Sequence, residues 1–305
     1  MTAPAVTSGR DGRAAMLLGR RRRDELTPGR YLLMTSMVML AIITLGFVVS
    51  MVLVTRLDED VAQARAFSHF RGQLAAGVAP TGQVDSKGRL LAPGAPVARI
   101  QIPALGLSAV VLEGTSSSVL AGGPGHQRST VLPGQAGTSV IFGRAAAYGG
   151  PFGNLHHLRA GDTIHTTTGI GTSTFKVIDV RRAGDPVPPV LKPGSARLIL
   201  VTATGAPFLP SGVLRVDADI QGSAEPDSSM VLTSVGKSEL PLGTDTSQLW
   251  GLAFVLEALL VVSIAAAWLW RTWGRVPTWI VLAPLVALLL WTLQGQVTRL
   301  LPNLT

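Results

Sequence analysis

The sequence predicts a mainly β domain carried outside a membrane by three α-helical spans. Three observations lead there. The 305 residues are 47% hydrophobic and only 14% charged, too apolar for an ordinary soluble protein. Three long runs carry almost no charge, one near the start and two near the end. Between them lies a stretch of short runs rich in Val, Ile, Thr and Phe, separated by Gly- and Pro-containing turns.

The first element is a basic tail, residues 1–30. Its seven arginines are Arg10, Arg13, Arg20, Arg21, Arg22, Arg23 and Arg30. They account for much of the net charge of +8. They stand directly before an apolar run, so membrane topology explains them better than nucleic-acid binding does, and they would also attract anionic lipid. Residues 31–54, from Tyr31 to Val54, form an uncharged run long enough to cross the roughly 30 Å hydrocarbon core. The run is too long for a signal-peptide core, and no small-residue cleavage site follows it. Residues 55–97 read as a stalk helix followed by a Gly- and Pro-rich linker.

The β domain is expected over 98–220. Its strand runs include ARIQI, TSVIF, DTIHTTT, TSTFKVIDVRR, ARLILVTA and GVLRVDADI. Turn clusters such as GPG, LPGQAG, RAGD and KPGS separate them. Strands of this length and spacing argue for a barrel or a sandwich. About 125 residues can bury a core without disulfides. The absence of cysteine excludes disulfides, thiolate metal sites and thiol nucleophiles together.

A polar linker, 221–248, leads to the second span, 249–270. A turn at 271–278 carries Arg271 and Arg275, and a third span follows at 279–297. All six tryptophans fall between Trp250 and Trp291, and most mark the span ends, where amphipathic rings prefer the headgroups. The positive-inside rule places the N-terminus and the 271–278 turn in the cytoplasm. The β domain and a short tail, 298–305, lie outside the plasma membrane. Glu257 falls within the second span, where a carboxylate costs about 2.5–3.5 kcal/mol on insertion scales. It reads either as a polar contact with another span or a partner, or as a protonated or snorkelling group; Thr44, Ser50 and Gln294 are possible mates.

The segments RIQIPALGLSAVVLEG, GGPGHQRSTVLPGQAGTSVIFGR, AYGGPFGNLHHLRAGDTI and RLILVTAT resemble a sortase domain, most closely the class E sortases of actinobacteria. The resemblance covers 98–220 and implies a closed eight-stranded β-barrel. It also implies a chemistry: a cysteine thiolate attacks a sorting-signal carbonyl, a histidine acts as acid and base, and an arginine steadies the oxyanion. Carried over one position at a time, the cysteine at the end of an LTLVTC-like strand falls on Ala203. The histidine before YGxPF falls on Arg144. The arginine after the cysteine falls near Gly212, within a loop TGAPFLPSG that loosens the alignment, and Arg215 is the nearby arginine. These replacements argue for a natural pseudoenzyme with no catalytic residues.

Other candidates weigh less. His126, in GPGHQ, matches a turn motif and reads mainly as loop structure. His156, His157 and Asp162 suggest a metal, but adjacent histidines there point in different directions, so neither metal nor cofactor is expected. The leading expectation is a non-catalytic subunit that assembles with other integral membrane or envelope proteins. Alternatively the groove, with Arg144, Arg215 and His126, binds an extended peptide or an envelope glycan, or regulates sorting signals without cutting them. The rival class is a hydrolase or transpeptidase using non-standard residues.

Overall fold

The computed structural model describes residues 28–304, apart from 86, 227–231 and 245–248. The expected strands form, and two more join them. The eight are β1 (Pro96–Ile102), β2 (Leu107–Glu113), β3 (Gly125–His126), β4 (Gly137–Phe142), β5 (Thr163–Thr168), β6 (Gly171–Arg181), β7 (Ala196–Ala206) and β8 (Leu209–Ile220). They close into a barrel in the order β1-β2-β3-β4-β7-β8-β6-β5. Most neighbours are antiparallel; β2 with β3 and β4 with β7 are parallel. The β4–β7 register runs from Gly137 opposite Ala196 to Phe142 opposite Val201.

Alternation along each strand builds the core. Ile100, Ile102, Ile141, Ile164, Phe175, Leu198, Leu200 and Val216 are fully buried inside the barrel. Strand periodicity of two sends their neighbours to the other face. Two ion pairs brace the wall beside β8. Arg181 binds Asp217, whose side chain is wholly buried, and Arg197 binds Asp219. His126 is wholly buried, with its Nδ1 2.9 Å from Glu113 Oε2 and its Nε2 2.9 Å from the Val131 carbonyl.

Two expectations need correction. Residues 77–97 are no loose linker. Gln83 is buried and donates to the carbonyls of Arg128 (2.7 Å) and Leu232 (3.1 Å), while its Oε1 accepts from Leu232 N–H (2.8 Å). Leu91 joins the core, and β1 begins at Pro96. The TGAPFLPSG segment is a hairpin rather than a loop: β7 runs on to Ala206, β8 starts at Leu209, and Phe208 takes a left-handed φ of 64° between them. A bulge between Thr204 and Gly205 absorbs the turn.

The helices follow the expected order. α1 (Pro28–Ala75) is continuous over 48 residues, about 72 Å at 1.5 Å per residue. Its outer half lies on the barrel: Phe70 is buried against Val110, Leu112 and Val119, and Gln63 exchanges hydrogen bonds with the Val110 backbone. A short α2 (Ser117–Leu120) follows β2. α3 (Leu249–Thr272) and α4 (Arg275–Leu300) form an antiparallel hairpin turning at Gly274, whose φ is 88°. Among the described residues, two helices are long and apolar enough to cross a membrane, Leu249–Thr272 and Val276–Val297. The first expected span, 31–54, is helical within α1, but many of its side chains lie outside the described residues, and it is not one of those two. Ile42 and Gly46 of α1 face α3 and α4 across a small apolar cavity.

Candidate functional site

One end of the β4–β7 pair gathers the positions singled out in sequence. β7 sends Leu198 and Leu200 into the core, and Ile199, Val201 and Ala203 to the outer face. Val140 and Phe142 of β4, Val213 of β8 and Leu120 of α2 share that face. Ala203 pairs with Val213 and Thr204 with Gly212 across the β7–β8 ladder. Gly143 N–H donates to the Val201 carbonyl (3.0 Å), which carries the chain from β4 toward Ala203 before it turns away. The turn depends on Gly143, because a Cβ there would run into the ring of Phe152. Phe152 N–H in turn donates to the Arg144 carbonyl (3.1 Å).

A cavity of about 350 Å³ opens beside Ala203. Ala145, Ala146, His156, Arg182, Thr202 and Leu214 are among the residues that line it. The Thr202 hydroxyl is buried and has no hydrogen-bond partner among the described residues. His156 Nδ1 lies 3.0 Å from the Gly153 carbonyl, which orients the ring.

The three carried-over positions are therefore neighbours in space, but they do not face one opening. Ala203 lines the cavity with a methyl group. Arg144 is fully buried, and its guanidinium donates to the Ser117 carbonyl (3.1 Å) and hydroxyl (2.7 Å) and lies 5.2 Å from the Tyr148 ring centroid. Burial pushes it down to about 10, below its ordinary range though still protonated at neutral pH. Gly212 offers no side chain. The expected groove cations are placed elsewhere. Arg144 lies under the surface, Arg215 faces Arg181 on the β6–β8 ladder, and His126 sits in its buried pair with Glu113. None of the three lines the cavity. The basic groups that do, Arg182 and His156, were not legible as a pair. One follows β6 and the other precedes β5, and only barrel closure brings them together. Among the described residues no cluster of three or more His, Cys, Asp or Glu could hold a metal ion.

Glu257 is exposed on α3, on the outside of the helical hairpin. Its suggested mates are engaged otherwise or not described. Thr44 donates to the Leu40 carbonyl within its own helix (2.9 Å), Gln294 is buried, and the Ser50 side chain lies outside the described residues.

Comparison with known proteins accords with this geometry. A model of the sortase domain matches residues 100–210. A sortase E mutant from Streptomyces avermitilis is 32% identical over 43% of this chain and 91% of that one, with a TM-score of 0.37. Sortase E1 from Streptomyces coelicolor, solved with a tripeptide in its active site, is 26% identical over 44% and 92%, TM-score 0.38. A Clostridium perfringens sortase D5 transpeptidase is 20% identical over 53% and 99%, TM-score 0.43. No curated protein matches. The family model is seated on the barrel, so residues 100–210 form a sortase domain.

Proposed function

We propose that this is a non-catalytic sortase-domain protein that serves as an assembly subunit of an actinobacterial-type cell-envelope complex. The observation that carries the loss of catalysis is Ala203. It stands where the resemblance puts the cysteine, and a methyl group has no electron pair with which to attack a carbonyl. Arg144 is a buried cation at neutral pH, so it takes no proton in the histidine's place. Gly212 supplies no side-chain donor to an oxyanion. The full-length protein, incubated with sorting-signal peptides and an amine acceptor, is expected to give neither hydrolysis nor transfer. Turnover above the peptide-only control would sink this reading and favour an enzyme built on other residues.

Assembly is supported by Glu257. Its carboxylate is exposed on α3, within one of the two helices apolar enough to cross a membrane. Facing hydrocarbon there is costly, and a polar group on a neighbouring membrane protein relieves the cost. In this reading residues 31–54 form a third span, the arginine-rich tail lies in the cytoplasm against anionic lipid, and the barrel lies outside. Gentle purification is expected to recover partner proteins that are lost with Glu257→Leu. An unchanged partner set in that variant would remove the role given to Glu257.

A second reading, capture of an extended peptide or a glycan without cleavage, is favoured by the cavity itself. Arg182, His156 and the unbonded Thr202 hydroxyl line it together. It predicts binding that Arg182→Ala weakens, checked by titrating sorting-signal peptide into the purified protein. Equal affinity in both proteins would count against it.

A further inference from the structure

The outer face of β4, β7 and β8 is already filled, and by this chain. Leu304, four residues beyond the end of α4, is fully buried against Leu120, Phe142 and Val201. Val140, Ile199, Ala203 and Val213 complete the surrounding patch. The Leu304 carbonyl accepts a hydrogen bond from Ala145 N–H (2.9 Å), the residue that also borders the cavity. Asn303 is fully buried as well. Its backbone N–H donates to the Gly243 carbonyl (3.0 Å), and its side-chain amide donates to the carbonyls of Ser238 (2.6 Å) and Leu240 (2.8 Å). The 232–244 segment is itself tied to the barrel, since Thr115 Oγ1 donates to the Glu239 carbonyl (2.7 Å).

We infer that residues 301–304, which bend and turn after α4, occupy this face as a tethered ligand and close it to any other apolar segment. A segment that merely trailed from a helix would be exposed and frayed. Here an apolar side chain fills a patch assembled from three strands and a helix, and an asparagine amide spends its donors on two fixed carbonyls. The arrangement has the parts of a peptide site: one apolar anchor, one main-chain hydrogen bond from the receptor, and one polar side chain that sets the position along the face. The segment is tethered through α4, so its local concentration is on the order of millimolar. Another chain can take the face only by offering the same features, an apolar side chain followed by a carbonyl for Ala145, with affinity enough to displace the tether. The inference stands whether or not the protein is an assembly subunit, because it rests on contacts within the chain.

The missing cysteines make the test clean. Leu304→Cys and Val190→Cys each give the full-length protein a single thiol, and Val190 is 95% exposed. In membranes, a water-soluble maleimide is expected to modify the first variant at least ~10-fold more slowly than the second, since a docked segment reacts only when it opens. Adding Asn303→Asp to Leu304→Cys removes the amide donor and sets a carboxylate against two carbonyls. That variant is expected to react within about 3-fold of Val190→Cys, as an opened segment would. Equal rates for the two single-thiol proteins would overturn the inference. So would protection that survives Asn303→Asp, because burial in the bilayer would then account for it.

Discussion

The two faces of β7 are covered by different parts of the chain. The inner face holds Leu198 and Leu200, both fully buried in a core that all eight strands surround. The outer face holds Ile199, Val201 and Ala203, under a segment from the far end of the chain. Side chains one residue apart serve separate purposes because the strand alternates. A change at Ala203 leaves the packing of Leu200 alone. The side chains that build the barrel core and the position that the sequence resemblance assigns to sortase chemistry thus lie on opposite faces of one strand.

Paired substitutions on the two faces are the sharpest way to break this comparison. On the inner face, Leu200→Ala is expected to cost about 2–5 kcal/mol, the lost transfer energy plus the cavity left behind. On the outer face, Ala203→Cys adds one atom at a half-buried position that borders the cavity; it is expected to cost less than about 1 kcal/mol and to restore no acyl transfer while Arg144 remains. Unfolding of the purified proteins followed by circular dichroism measures the first contrast, and a transpeptidation assay checks the second. Similar costs on both faces would dissolve the distinction. The next largest effect is expected at Asp217, whose buried carboxylate holds Arg181. Asp217→Ala leaves a half-buried guanidinium without its partner and is expected to cost about 3 kcal/mol, read from the same unfolding curves.

The smallest effect is a pH dependence at the joint between α1 and the loop beside the site. Burial, and then the neighbouring Asp60, raises Glu59 from 4.5 to about 7. The folded protein therefore favours the neutral carboxyl. The stability this contributes is fully present below 4.5 and is lost as pH rises through about 7. A Cβ at Gly149 would meet the Glu59 carboxylate, so the charge develops against the loop that runs from Arg144 to Phe152. Glu59→Gln is expected to narrow the difference in Tm between pH 5 and pH 8. An unaltered difference would assign the dependence to other groups.

Much of the barrel was legible because alternation is local. Ile100 and Ile102, or Leu198 and Leu200, announce a strand and its buried side within a few residues. Ala203 was legible because its strand is also a motif. What the sequence hid was long-range. Asn303 and Leu304 belong to a short polar-looking tail, and nothing nearby shows that their partners are Ser238, Leu240, Ala145 and Phe142. His156 and Arg182 stay unrelated until the barrel closes. The β7–β8 hairpin was hidden for a local reason: Pro207 and Pro210 read as loop residues, and the left-handed Phe208 that makes the tight turn is a conformation such a side chain seldom takes.

The distance between α4 and Leu304 sets a height. Four residues, even fully extended, reach about 14 Å. Leu304, with Ala145 and the Ala203 patch packed against it, is therefore held close to the point where an apolar helix ends. In the membrane topology proposed above, a chain rooted in the same bilayer arrives at this height by lateral diffusion alone. A chain free in solution has to descend between the barrel and the headgroups to reach it. In that topology the anchor sorts visitors to a cysteine-free barrel before any side chain touches them.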